Sequence, residues 1–127
     1  MAEPGVPADR IHIRDLALRC IVGIEPEERR ERQDVLINIT MHADLRWAGR
    51  TDDIADTVDY KAVKLAVIAE VEGSSYYLVE RLAERIAEIC LSHSGVAAVR
   101  VLVEKPGALR FARTVGVEVF RERAAGA

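Results

Sequence analysis

The order of hydrophobic periodicities constrains this chain more than any other feature. Two stretches with apolar residues at every second position come first. Two stretches with helical spacing follow, then two more of period two. In the first, Ile11, Ile13, Leu16 and Leu18 alternate with His12, Arg14, Ala17 and Arg19 as far as Val22. The alternation slips at Asp15–Leu16, which predicts a bulge, and Gly23 ends the run. In the second, from Val35 to Leu45, Val35, Ile37, Ile39 and Met41 share one face. Leu36, Asn38, Thr40 and His42 share the other. Between them, Glu25 to Gln33 is dense in charge without an apolar stripe, and reads as a solvated loop or short helical turn.

Arg46 to Asp59 reads as a polar loop. Asp59 is an N-cap residue type, and behind it Val63, Ala66, Val67 and Val71 follow helical spacing until Gly73-Ser74-Ser75. A second helix is predicted from Leu78 to Ser92, with Val79, Leu82, Ala83, Ile86, Ile89 and Cys90 as its apolar stripe. Val96 to Glu104 and Thr114 to Arg121 give the last two strands, separated by the breaker Lys105-Pro106-Gly107-Ala108. The expected architecture is α+β: a β-β-α-α-β-β unit, with a largely antiparallel four-stranded sheet and both helices on one face. Residues 10–121 make one domain, and residues 1–9 and 122–127 are expected as disordered tails. Both sheet faces are partly apolar while helices cover only one, and the edge strands present unpaired backbone groups. A ring-shaped homo-oligomer, its sheets joined into a barrel, resolves both problems.

Composition removes several function classes. Half of the 127 residues are hydrophobic and the formal net charge is −3, so there is no basic footprint for nucleic acid. No apolar run reaches a membrane-spanning length, and residues 1–9 have neither the basic start nor the apolar core of a signal peptide. Cys20 and Cys90 lie 70 residues apart and read as buried thiols in a reducing, cytoplasmic compartment. His12, His42 and His93 show no His-x-His or His-x-x-x-His spacing, and Cys-x-x-Cys is absent, so no metal site is expected. Phosphate-binding glycine loops and a Gly-x-Ser-x-Gly elbow are absent as well.

Four polar residues stand at breaks in the regular pattern. They are Glu28 in the charged loop, Tyr60 at the first helix start, Glu80 in the first turn of the second helix, and Lys105 at the end of the third strand. Each has an ordinary reading: a solvated charge, a packing residue, a dipole-favoured carboxylate and an exposed lysine.

Taken together, the stretches around these residues resemble the dihydroneopterin aldolase family. They are Ile21-Val-Gly-Ile-Glu-Pro-Glu-Glu28, Gln33-Asp-Val-Leu-Ile-Asn38, Thr51-Asp-Asp-Ile-Ala-Asp-Thr-Val-Asp-Tyr60, Glu72-Gly73, Leu78-Val-Glu80, Val103-Glu-Lys105-Pro-Gly-Ala and Val115-Gly-Val-Glu-Val119. The resemblance implies the tunnelling fold, with rings of four subunits that stack in pairs into octamers. It also implies a pterin substrate, folate biosynthesis, no cofactor, and active sites between subunits. It gives Glu80 the role of pterin anchor, with Val79 and Val58 offering backbone groups to the pterin edge. Tyr60 would reach the side chain being cleaved from an adjoining subunit. Lys105 would be the catalytic lysine, working through a water with a loop carboxylate, Glu28 or, one step away, Glu27.

Ile21-Val22 departs from the aromatic pair that often precedes the glycine matching Gly23. The surroundings of Asn38 and the segment Ala108-Leu-Arg110-Phe-Ala112 are similar to the dihydroneopterin triphosphate 2′-epimerase branch, where Arg110 would meet a triphosphate. A non-catalytic pterin-binding module is a further alternative. A zinc-dependent pterin synthase of the same fold is opposed by the missing His-x-His.

Overall fold

The computed structural model describes residues 5–124; the outer ends of the two expected tails, residues 1–4 and 125–127, lie outside the described residues. Strand β1 (Arg10–Val22) and β2 (Gln33–His42) form a hairpin joined through the one-turn helix α1 (Pro26–Arg30). After β2 come the short helix α2 (Arg46–Thr51) and a 3-10 turn (Ile54–Asp56). Helix α3 (Tyr60–Glu72), strand β3 (Ser75–Tyr76), helix α4 (Val79–Leu91), strand β4 (Ala98–Pro106) and strand β5 (Thr114–Glu122) complete the described chain.

The sheet order is β3-β1-β2-β4-β5, antiparallel except for β3 against β1. The architecture is α+β as expected, but the sheet is mixed and has five strands. The additional strand pairs Val22 with Tyr76 and Ile21 with Ser75 in parallel, and the Gly23 N–H donates to the Tyr76 carbonyl at 3.1 Å. Two residues are too few to show a period-two signal; their pairing exists only because the helices return the chain to the end of β1. Helix α1 is the short helical turn that the charged run allowed, and α2 replaces expected loop; neither buries a side chain, so neither writes an apolar stripe.

The core lies between the sheet and helices α3 and α4. Val35, Ile37, Ile39 and Met41 of β2 and Val99, Val101 and Val103 of β4 are buried against Val63, Val67 and Val71 of α3 and Leu82, Ala83, Ile86, Ala87 and Cys90 of α4. The inward faces of the strands are therefore those read from the alternation. The bulge forms between Ile13 and Leu16. Asp15 has a φ of 55° there, and its N–H donates to the Asn38 side chain at 3.0 Å. Asn38 thus closes the gap that the bulge leaves in the ladder. Asp59 caps α3, accepting from the Ala62 N–H at 3.0 Å, and Gly73 ends the helix.

Strand β2 stops at His42, before Leu45, because the chain turns to meet the segment preceding β1. The Ala43 N–H bonds the Asp9 carbonyl and the Leu45 N–H bonds the Asp9 carboxylate. His42 is tied to the same segment, its Nδ1 donating to the Pro7 carbonyl at 2.9 Å. Strand β4 does not break at Lys105 but continues through Pro106, paired with Thr114. Beyond Glu104 it has β5 alone as a partner, the edge situation in which a proline is tolerated.

Candidate active site

Lys105 is the last inward-facing residue of β4. It has the parity of Val99, Val101 and Val103, so the same alternation that builds the core carries its side chain under the sheet. Its side chain is 9% exposed. A buried ammonium needs partners, and Nζ has two. It donates to Oε2 of Glu28 at 2.6 Å and to the Val22 carbonyl at 3.2 Å.

Glu28 reaches this lysine from α1. Its other oxygen, Oε1, accepts from the Glu25 N–H at 3.1 Å. The hydrogen bond from Lys105 holds the Glu28 carboxyl below the usual carboxylate range, against a smaller opposing effect of burial. Gly23 makes room for this arrangement. Its φ is 140°, and a Cβ there would fall 2.6 Å from Oε2 of Glu28 and closer still to the carboxyl carbon and Oε1. Only glycine offers both that backbone angle and that space. Gln33 fixes the floor beneath, its Nε2 donating to the carbonyls of Val22 at 3.0 Å and Glu28 at 3.3 Å. Arg29 donates to the carbonyls of Gly23, Tyr76 and Ser75 and lies 4.0 Å from the centre of the Tyr77 ring.

Glu80 and Val79 stand in the first turn of α4, close in sequence to Tyr76, which pairs with Val22. That turn leaves backbone N–H groups without intrahelical partners, and Glu80 is exposed. Tyr60 and Val58 are elsewhere. Tyr60 begins α3, whereas the opposite end of α3 leads to Tyr76. Thirteen residues of helix separate these ends, or about 20 Å. Val58 is buried. Tyr60 is 54% exposed and borders a shallow groove of about 330 Å³ with Ala48, Asp52, Asp53, Ile54 and Thr57. One chain therefore carries the six residues in two groups, Lys105, Glu28, Val79 and Glu80 at one end of the helical layer and Tyr60 and Val58 at the other.

Glu27 is exposed, whereas Glu28 forms the ion pair with Lys105. Arg110 is exposed in the β4–β5 connection, 5.2 Å from the Phe111 ring centre. Among the described residues no three His, Cys, Asp or Glu side chains gather in a metal-binding group, and no helix is long and apolar enough to cross a membrane. Cys20 is buried, and burial raises its thiol; Cys90 is pushed up to about 12 by burial. Neither is a nucleophile in this setting.

The sequence did not single out the supporting residues. Gln33 and Arg29 looked like members of a charged, solvated run. Their partners are main-chain carbonyls, which leave no mark on side-chain pattern. Gly23 did carry a signal, as a lone glycine terminating a strand.

A buried lysine held by a carboxylate at the rim of a two-layer α+β domain is an arrangement chemically able to hold and pass a proton. The chain belongs to the dihydroneopterin aldolase (FolB) family, which matches residues 11–120. It is 47% identical over 100 residues to the dihydroneopterin aldolase of Streptomyces coelicolor, covering 79% of this chain and 84% of that protein. It is 36% identical over 121 residues to the dihydroneopterin triphosphate 2′-epimerase of Pseudomonas aeruginosa, covering 95% and 97%. Against the Dictyostelium discoideum folic acid synthesis protein FOL1, at 37% identity, it spans 17% of that longer chain. The crystal structure of Escherichia coli dihydroneopterin aldolase in complex with neopterin superposes with a TM-score of 0.85 at 35% identity, covering 89% of this chain and 98% of that one. Burkholderia thailandensis dihydroneopterin aldolase bound to guanine gives 0.77 at 32% identity, covering 91% and 92%.

Proposed function

We propose that this chain is a 7,8-dihydroneopterin aldolase of cytoplasmic folate biosynthesis, yielding 6-hydroxymethyl-7,8-dihydropterin and glycolaldehyde. The observation that carries this reading is the Lys105–Glu28 pair, 2.6 Å apart, in a chain of the aldolase family. Retro-aldol cleavage needs an acceptor for the electrons of the C1′–C2′ bond. In the substrate, N5=C6 is already an imine conjugated to C1′. It serves as the electron sink, so neither a lysine adduct nor a metal ion is required.

As the bond breaks, the 2′-hydroxyl loses its proton and its oxygen becomes the aldehyde carbonyl. The bonding pair moves through C1′=C6 to N5, which takes a proton. The resulting enamine is protonated on C1′ and releases the N5 proton, restoring the imine. The Lys105 ammonium serves N5, and Glu28 accepts and returns protons beside it. The resemblance placed a water between the two; in this structure they touch directly, so substrate would enter between or beside them. Glu80 anchors the pterin through its 2-amino and N3–H groups, a bidentate charge-assisted pair, while Val79 and, from a neighbouring copy, Val58 present backbone groups to the ring edge. Tyr60 of a neighbouring copy approaches the side chain being cleaved.

The two-group layout within one chain supports sites shared between subunits of a homo-oligomer, a four-membered ring or its stacked octamer. Ile24, Tyr77 and Leu78 are exposed near the first group, and Trp47 and Ile54 near the second. Such apolar surface suits burial between copies.

A second reading, dihydroneopterin triphosphate 2′-epimerase, is favoured by the Pseudomonas relative and by exposed Arg110. Re-addition of the same enamine carbon to the other face of the released aldehyde, which keeps the triphosphate when the substrate carries one, gives the 2′-epimer, so both reactions use one site. Chromatography of purified protein incubated with 7,8-dihydroneopterin, and separately with its triphosphate, decides between them. Cleavage of the unphosphorylated compound is expected. Epimerised triphosphate with little cleavage would install the second reading, and no change in either would leave a binding module.

A further inference from the structure

Arg29 bridges two short chain segments, helix α1 and strand β3. Helix α1, which carries Glu28, has five residues and buries none. On the other side, β3 has two residues, and Tyr77 and Leu78 after it are exposed. The Arg29 guanidinium spans this junction. Nη1 donates to the Gly23 carbonyl at 3.2 Å and the Tyr76 carbonyl at 3.0 Å, and Nη2 to the Ser75 carbonyl at 2.7 Å. Its carbon lies 4.0 Å from the Tyr77 ring centre, a cation–π contact. A planar fork can satisfy several carbonyls at once, which an ammonium cannot do with the same geometry.

We propose that Arg29 is a positioning residue, holding the Glu28–Lys105 pair in register with the segment that carries Glu80. The inference rests on the reading of these residues as one pterin site. Glu28 would act on the cleaved side chain while Glu80 anchors the ring, so their separation sets where the reacting carbon lies. The helix bearing one and the strand preceding the other meet through this side chain. Misplacement by about 1 Å costs on the order of 100-fold in rate.

The test compares Arg29→Met, which keeps an unbranched stem but removes the fork, with Arg29→Lys, which keeps charge on a single nitrogen. The Met variant is expected to lose about 10- to 100-fold in kcat with 7,8-dihydroneopterin, and the Lys variant to lie between it and the parent. In the Glu28→Gln background, Arg29→Met should add little further loss, because its effect passes through Glu28. Losses that multiply instead would overturn the proposal. The Glu28 carboxyl, followed by carbon-13 NMR, should titrate at higher pH in Arg29→Met than in the parent, as its contact with Lys105 loosens. If the parent protein turns over neither pterin, the functional reading fails while the titration still decides the role of Arg29. An unchanged Glu28 titration overturns the proposal in either case.

Discussion

Replacing Gly23 by alanine isolates the geometry of the ion pair from its chemistry. The new methyl group would occupy the place of the Glu28 carboxylate, with Oε2 at 2.6 Å. Two costs arise. The first is backbone strain, because a φ of 140° is a region held almost only by glycine; about 1–3 kcal/mol is typical. The second is displacement of Glu28. Its carboxylate is the flexible end of a side chain, so it swings aside rather than forcing the backbone apart. That forfeits a charge-assisted hydrogen bond of about 1.5–3 kcal/mol, partly recovered by water on the 28%-exposed glutamate. Lys105 keeps only the Val22 carbonyl.

The sum, about 2–4 kcal/mol, is expected to lower the melting temperature by roughly 10 °C in a domain of this size. The loss of activity should be disproportionate, because moving a general acid–base group removes about 100- to 10,000-fold in rate. Calorimetry and steady-state assays of Gly23→Ala beside Glu28→Gln provide the check. The two variants should share a similarly depressed kcat. A Gly23→Ala protein with the parent's kcat would refute the reasoning, since the carboxylate would then not need the space that the glycine leaves.

Lys105→Ala should abolish most turnover while pterin affinity, measured by fluorescence titration, changes little; loss of binding instead would make Lys105 an anchor. Glu28, held below its ordinary value of 4.5 mainly by the Lys105 hydrogen bond, contributes stability that is present above that value and lost as pH falls through the lowered folded value. Acid-range melting curves of Glu28→Gln should therefore be flatter than those of the parent, and identical slopes would contradict the pairing. Asp59→Ala removes the α3 cap and should destabilise the fold by about 1 kcal/mol, seen as a drop of a few degrees in melting temperature; no change would mean that water caps the helix equally well.

The amino-acid sequence by itself determined the elements that bury a face. Val35, Ile37, Ile39 and Met41 could be assigned inward because a strand places alternate residues on opposite sides. The stripe from Leu82 to Cys90 and the caps Asp59 and Gly73 were legible for the same local reason. Even the bulge at Asp15 announced itself, as a missed beat in the alternation. The four candidate polar residues were visible as breaks in the pattern, and their family motifs tied them together.

What tertiary structure alone decided was every feature made by backbone meeting backbone across distant parts of the chain. Strand β3 has two residues, and its partner lies more than fifty residues away in sequence. The proline in β4 survives because the strand has run out of one neighbour. Lys105 read as an exposed lysine before a turn, yet the parity of β4 carries it beneath the sheet to Glu28, 77 residues earlier. Arg29 and Gln33 bind carbonyl groups, which every residue has and no side-chain pattern reports. Local periodicity records which face of an element is buried; it cannot record which main-chain groups that burial brings together.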